Sequence, residues 1–252
     1  MLIRQLDGEF PGTLSTYDRP TPNLRLSLML SIAKNFLFIH IPKTGGSSVQ
    51  TVLAQYSEDS ILTRSGPSIH DGRSFGVENA RYRSKKHSPL SHYWAHMRGH
   101  GELAVFDQLY KFAIIRNPWD RCISWYFSPH LGKDRAWSRE DFLRLLPRIH
   151  GIGHYTTIPT IPARLAAKVG LNSSYTFFRN RSLTSDINRL LRFESLSEDF
   201  DQALRDIGLP PAKLPHRNAS RRESYRSYLD DELRQIIARK YREEIRYGNY
   251  EF

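Results

Sequence analysis

Two short stretches hold most of the residues that could do chemistry together. The first reads Ile41-Pro42-Lys43-Thr44-Gly45-Gly46-Ser47-Ser48-Val49. Its paired glycines let backbone approach a ligand closely, and Lys43, Thr44, Ser47 and Ser48 add donors. With a helix opening there, unpaired N–H groups and the positive end of a helix dipole join them, and the stretch is built to hold an anion. It is not the triphosphate loop G-x-x-x-x-G-K-[ST], because its lysine precedes the glycines and none follows them in the motif. The second reads Ile114-Ile115-Arg116-Asn117-Pro118-Trp119-Asp120-Arg121-Cys122-Ile123-Ser124. Here a guanidinium at a strand end and a hydroxyl two helical turns later can converge on one phosphate.

Both stretches need the same scaffold. Phe36 to Ile41 is a short apolar run rich in β-formers, as expected of a buried parallel strand, and Val49, Val52, Leu53 and Tyr56 follow at helical spacing. Phe112 to Ile115 is a second such run, and Pro118 suits the first turn of a helix facing inward with Trp119, Cys122, Ile123 and Tyr126. A helix bearing Leu103, Phe106 and Leu109 precedes it. Capping patterns predict helices over 138–149, from Ser138 with Asp141, and over 195–207, from Ser195 with Glu198. Residues 189–193 read as a third strand, and one last amphipathic helix carries Leu229, Leu233, Ile236, Ile237, Tyr241 and Ile245. Strands alternating with helices predict an α/β fold, a mostly parallel sheet flanked by helices. In such sheets ligands collect at strand carboxyl ends, so the two motifs should share one crevice.

Composition narrows the function. The 252 residues carry 37 Lys and Arg against 26 Asp and Glu, a net charge of +11, so an anionic partner is expected. With 39% apolar residues the chain has enough to fold, and it reads as a single domain over 1–252. One cysteine, Cys122, excludes a disulfide framework and thiolate-rich metal sites, and suits a reducing compartment. The apolar stretch 24–41 is broken by Arg25, Lys34 and Asn35, short of the ~20 apolar residues that a membrane span needs. The expectation is a soluble, cytoplasmic protein. A nucleic-acid-binding protein is a remote alternative, with no zinc-finger spacing or aromatic RNA-binding signature behind it.

The pair of motifs, in this order, resembles the signature of sulfotransferases that use 3′-phosphoadenosine 5′-phosphosulfate (PAPS), in the branch with many carbohydrate and bacterial enzymes. The likeness extends to Lys86-His87, to Tyr110-Lys111-Phe112, to Arg192-Phe193-Glu194-Ser195-Leu196 with Asp199-Phe200, and to Tyr250-Glu251-Phe252, and so spans about 34–252. Residues 1–33 read as an N-terminal extension, and 57–101 and 128–185 as substrate-side insertions. The resemblance implies a P-loop-like nucleotide-binding fold and metal-independent, in-line transfer of a sulfuryl group to an acceptor hydroxyl; the branch leans to a carbohydrate or glycan, with lipids, tyrosines and small metabolites as the other acceptor classes. Lys43 would contact the 5′-phosphosulfate, with Thr44, Gly45, Gly46, Ser47 and Ser48 wrapped around it. Arg116 and Ser124 would hold the 3′-phosphate, with Arg221 or Arg222 reaching over from a late basic loop.

The acceptor needs a base, and an imidazole titrates near neutral pH. His87 lies in the stretch that matches the family; His70, His92, His96 and His100, or a carboxylate, are the alternatives. Three of these histidines, His92, His96 and His100, recur every fourth residue and also fit a metal-binding face, although only Glu102 lies near to complete it. A polar, substrate-facing helix explains the spacing without a metal. Glu194 reads as structural, in an ion pair at a strand end, and Cys122 as a small core residue. Trp119, Trp125, Tyr126 and Phe127 divide between core packing and adenine stacking. Two rival readings are an NTP-dependent phosphotransferase, opposed by the position of Lys43, and a sulfotransferase fold that binds PAPS without turnover.

Overall fold

Phe36, Phe38, Phe112, Ile114 and Leu191 point to one side of a sheet, and Leu37, Ile39, Ala113, Ile115 and Leu190 to the other, all of them buried. Strands apolar on both faces must be covered on both. The computed structural model describes residues 29–58, 60–62, 76–132, 135–158, 183, 185–215 and 222–252. Its main sheet is built from β1 (Leu30–Ser31), β2 (Phe36–Ile39), β6 (Tyr110–Ile115) and β7 (Arg189–Arg192), in the order β1-β2-β6-β7. The β2–β6 and β6–β7 pairs are parallel, and β1 is an antiparallel edge. The fold is α/β with a mostly parallel sheet, as the apolar runs predicted.

One face is covered by α1 (Gly46–Leu53), through Val49, Val52 and Leu53, and by α7 (Leu196–Asp206), through Phe200, Ala203 and Leu204. The other face is covered by α2 (Leu90–Gly99), α3 (Leu103–Gln108), α4 (Pro118–Tyr126), α5 (Arg139–Leu145) and α8 (Asp231–Lys240). Short α6 (Gly153–Thr156) and α9 (Arg242–Gly248) complete the helices among the described residues. Between α1 and α2 lies a separate antiparallel meander of β3 (Ser60–Leu62), β4 (Gly76–Asn79) and β5 (Ser84–Lys85).

The differences from the expectation are local. The helix over 138–149 is α5 followed by a 3-10 turn, Leu146–Arg148, because Pro147 cannot donate into the α ladder. Its Ser138 cap forms as read, Oγ accepting from the Asp141 N–H at 3.3 Å. Ser195, by contrast, makes no side-chain cap, because it ends a 3-10 turn, Phe193–Ser195, that already leads the chain into α7. The last amphipathic segment is two helices, α8 and α9, parted at Tyr241, whose hydroxyl is bonded to the Ile149 carbonyl at 2.8 Å. No described helix is long and apolar enough to cross a membrane.

Candidate active site

The register aligns the carboxyl ends of β2 and β6, Ile39 pairing with Ala113. Residues that follow these ends therefore meet. Arg116, the first after β6, donates from Nη1 to the Lys43 carbonyl at 2.9 Å, so the two motifs form one crevice. Lys43 is in the left-handed region (φ +67°), which costs an L-residue roughly 1–2 kcal/mol, and the bond from Arg116 holds its carbonyl there. Gly45 also has positive φ, +84°, and a Cβ on it would lie 2.7 Å from the Phe193 ring. A Cβ on Gly46 would lie 2.4 Å from Cδ2 of His40. Both glycines are thus required by the close approach of neighbouring rings, and Gly45 by the turn as well.

Charge concentrates at this crevice. Burial, and then the cations of Arg116, Arg222 and Lys86, lowers the Lys43 ammonium to about 8. Arg116 lies over the Phe193 ring with its guanidinium carbon 4.1 Å from the centroid. Its Nε and Nη2 donate to Asp120 Oδ2 at 2.8 and 2.5 Å. Arg222 Nη2 donates to the other oxygen of Asp120. Ser124 is buried one turn beyond Asp120 on α4, and Ser47 and Ser48 are half-buried in the first turn of α1. The buried Thr44 hydroxyl turns inward and donates to the Ile41 carbonyl at 2.9 Å, so here it is bonded within the loop itself. Arg221 and His70 lie outside the described residues.

His87 reaches the same place from beyond the meander. Its Nδ1 is 2.9 Å from the His40 carbonyl. A carbonyl only accepts, so Nδ1 carries the hydrogen and Nε2 keeps the lone pair. Burial is the main cause that lowers this imidazole to about 4, with Lys86, His130 and Lys43 adding to it and the His40 carbonyl opposing. The residue still exposes surface, and near neutral pH it is uncharged. The other histidines of this region are used differently. His92 and His96 adjoin on α2, centroids 4.4 Å apart, and the Nε2 atoms of His92 and His100 are spent on the carbonyls of Tyr82 and Arg81.

Several residues at the site escaped the sequence reading. His40 is only 3% exposed, lies edge-on to His87 at 4.7 Å between centroids, and is held neutral by burial. Asn117 caps α4, its Oδ1 accepting from the N–H groups of Trp119 and Asp120; the pairing of Asn with Pro118 at the next position was the available signal. Glu194 makes its structural contribution through the Asn117 N–H at 2.8 Å and the Tyr250 hydroxyl at 3.0 Å, in place of the expected ion pair. Arg192 lies instead over the Tyr250 ring. Cys122 is buried, which pushes its thiol up to about 11, as suits a core residue. Trp119 is also core, its Nε1 donating to the Arg234 carbonyl at 3.0 Å.

Comparison with known proteins adds an independent line. A model described as the sulfotransferase family matches residues 27–154, a span that includes both anion-binding motifs and His87. No curated protein and no solved structure matches the chain significantly. Since the match takes in half of the chain, and that half holds the two strand, loop and helix units that meet where Arg116 bonds Lys43, the chain belongs to the sulfotransferase family.

Proposed function

We propose that this sulfotransferase takes its sulfuryl group from PAPS and delivers it to a hydroxyl of a carbohydrate or glycan. The observation that carries the reading is the bond from Arg116 to the Lys43 carbonyl, which joins two anion-binding loops into one cationic crevice. The residues present fit an anion with two phosphate-like ends. Lys43 and the first turn of α1 would take one end, and Arg116 and Arg222, which line one cleft with Asp120, would take the other, with Ser124 the hydroxyl that the second motif adds. Nε of Arg222 is buried and has no hydrogen-bond partner among the described residues. When bound, PAPS would supply the sulfuryl group, its S–O bond to phosphate breaking as a bond to the acceptor oxygen forms.

The chain's own groups then have definite tasks. The Lys43 ammonium and the backbone N–H groups of the loop hold the 5′ end and stabilise the negative charge left on the departing phosphate. Nε2 of His87 takes the proton of the acceptor hydroxyl, while Nδ1 stays bonded to the His40 carbonyl and fixes the ring. Arg116 and Arg222 hold the 3′ end. A sulfuryl group carries less charge than a phosphoryl group, so a lysine and backbone donors suffice for its transfer. The chain's positive charge supports acidic or hydroxyl-rich carbohydrate as acceptor. The single cysteine supports a cytoplasmic setting.

The test is calorimetric titration with the product nucleotide, 3′-phosphoadenosine 5′-phosphate (PAP), and separately with ATP and magnesium. PAP should bind without magnesium, and transfer of labelled sulfate should appear on some member of a panel of glycans. Lys43→Ala should keep the fold and lower kcat about 100- to 1000-fold, the loss typical of one charge-stabilising donor. Binding of ATP only with magnesium, and no binding of PAP, would sink the reading in favour of a phosphotransferase.

A further inference from the structure

The second motif contains an acid where an anion is to bind. Asp120 lies in the first turn of α4 between Arg116, from the end of β6, and Arg222, from a loop late in the chain. Each of its oxygens takes one guanidinium. Oδ2 accepts both Nε and Nη2 of Arg116, and Oδ1 accepts Nη2 of Arg222, whose Nη2 also lies 3.4 Å from the Asp120 carbonyl. All three side chains are largely shielded, at 13%, 19% and 9% exposure for Arg116, Asp120 and Arg222. They line a cleft of about 380 Å³ with Glu223, Ser224 and Tyr225.

The donors that remain are the informative part. A guanidinium has five N–H donors in a fixed fork. Arg116 spends three of them, on Asp120 and the Lys43 carbonyl, with its plane set by Phe193. Arg222 spends Nη1 on the Glu223 carbonyl and Nη2 on Asp120, and its buried Nε has no partner among the described residues. The carboxylate thus neutralises one of two cations and fixes the planes of both. Net positive charge is left, and so are unspent N–H groups on two planes that cannot swing away.

We propose that Asp120 is a positioning residue that makes the site selective for a nucleotide bearing a 3′-phosphate, by locking Arg116 and Arg222 into one fork. The inference rests on the PAPS reading of the same crevice and deepens it. The carboxylate repels an incoming phosphate, and a ligand offsets that repulsion only by engaging both guanidinium groups at once. A phosphate group with several acceptor oxygens does so; a nucleotide that ends in a free 3′-hydroxyl does not.

The experiment titrates the full chain and the variants Asp120→Asn, Asp120→Glu and Arg222→Gln with PAP and with adenosine 5′-monophosphate, at one fixed salt concentration. Thermal unfolding of each variant accompanies the titrations. The wild type should prefer PAP, and Asp120→Asn should weaken PAP about tenfold, the effect of one charge-assisted contact, while adenosine 5′-monophosphate binding stays unchanged. Asp120→Glu should restore part of the preference. Arg222→Gln should show the same selective loss, and adding Asp120→Asn to it should bring little more, since both act through one fork. An Asp120→Asn protein that keeps the wild-type ratio, weakens both nucleotides alike, or binds PAP more tightly overturns the inference alone. A wild-type protein that binds both nucleotides equally overturns the PAPS reading and the inference together.

Discussion

A neutral imidazole has one nitrogen that donates and one that accepts, and at His87 the His40 carbonyl decides which is which. That choice leaves Nε2 free to take a proton, and burial first, with nearby cations adding to it, keeps the ring unprotonated, the group being lowered to about 4. Nuclear magnetic resonance titration of His87 should therefore place its midpoint well below that of an ordinary histidine. Saturation with PAP should move the midpoint upward, because a bound polyanion favours the imidazolium. The sign for stability follows from the same shift. As pH falls from about 6.5 the unfolded chain takes up the proton first, so this group withdraws stability down to about 4 and withdraws none at neutral pH. His87→Ala should lower kcat about 100- to 10,000-fold while leaving PAP affinity nearly unchanged. Loss of PAP binding with kcat intact would remove His87 from the role of base.

At the scale of elements, the loop that starts α1 is set by what touches it from outside. Gly46→Ala would raise intrinsic helix propensity, yet its Cβ would press on the buried His40 ring at 2.4 Å. The expected outcome is a loss of about 1–3 kcal/mol, the usual cost of overpacking, read as a lower urea midpoint at constant m-value. Because His40 carries the carbonyl that fixes His87, kcat should fall as well. Such constraints explain which parts of the sequence could be read. Phe36 to Ile39 and Phe112 to Ile115 are apolar on both faces, and buried parallel strands announce themselves that way. Ser138 caps as its pattern says, whereas Ser195 does not, because Phe193 and Glu194 had already begun a tighter turn. The break at Tyr241 leaves no trace in the spacing of apolar residues, which continues across it. Strands β3 to β5 are two to four residues long, too short for a periodic pattern, and Asp120 shows its part only once Arg222, far along the chain, is brought beside it.

The molecule as a whole is tied together by charges as well as by its two apolar layers. Arg121 and Glu244, 1% and 4% exposed, join α4 to α9 at 3.2 Å. Glu244 also accepts from the Ile152 N–H at 2.7 Å, and Arg121 donates to the His150 carbonyl at 3.1 Å. Glu244→Ala would leave a guanidinium buried without its counter-ion and should destabilise the protein by about 3–5 kcal/mol in chemical denaturation. A loss below 1 kcal/mol would mean that Arg121 is not sealed from water. The parallel pairing of β2 with β6 has a further consequence, for the order of events as the chain folds. The half-sites at Lys43 and Arg116 belong to strands separated by on the order of seventy residues, and closing a loop of that size is slow and entropically costly until the sheet forms around it. Neither half can capture an anion in the manner of the whole. Competence to bind therefore arises in a single step with closure of the sheet, and gain of nucleotide binding during refolding should report the last stage of assembly rather than an early one.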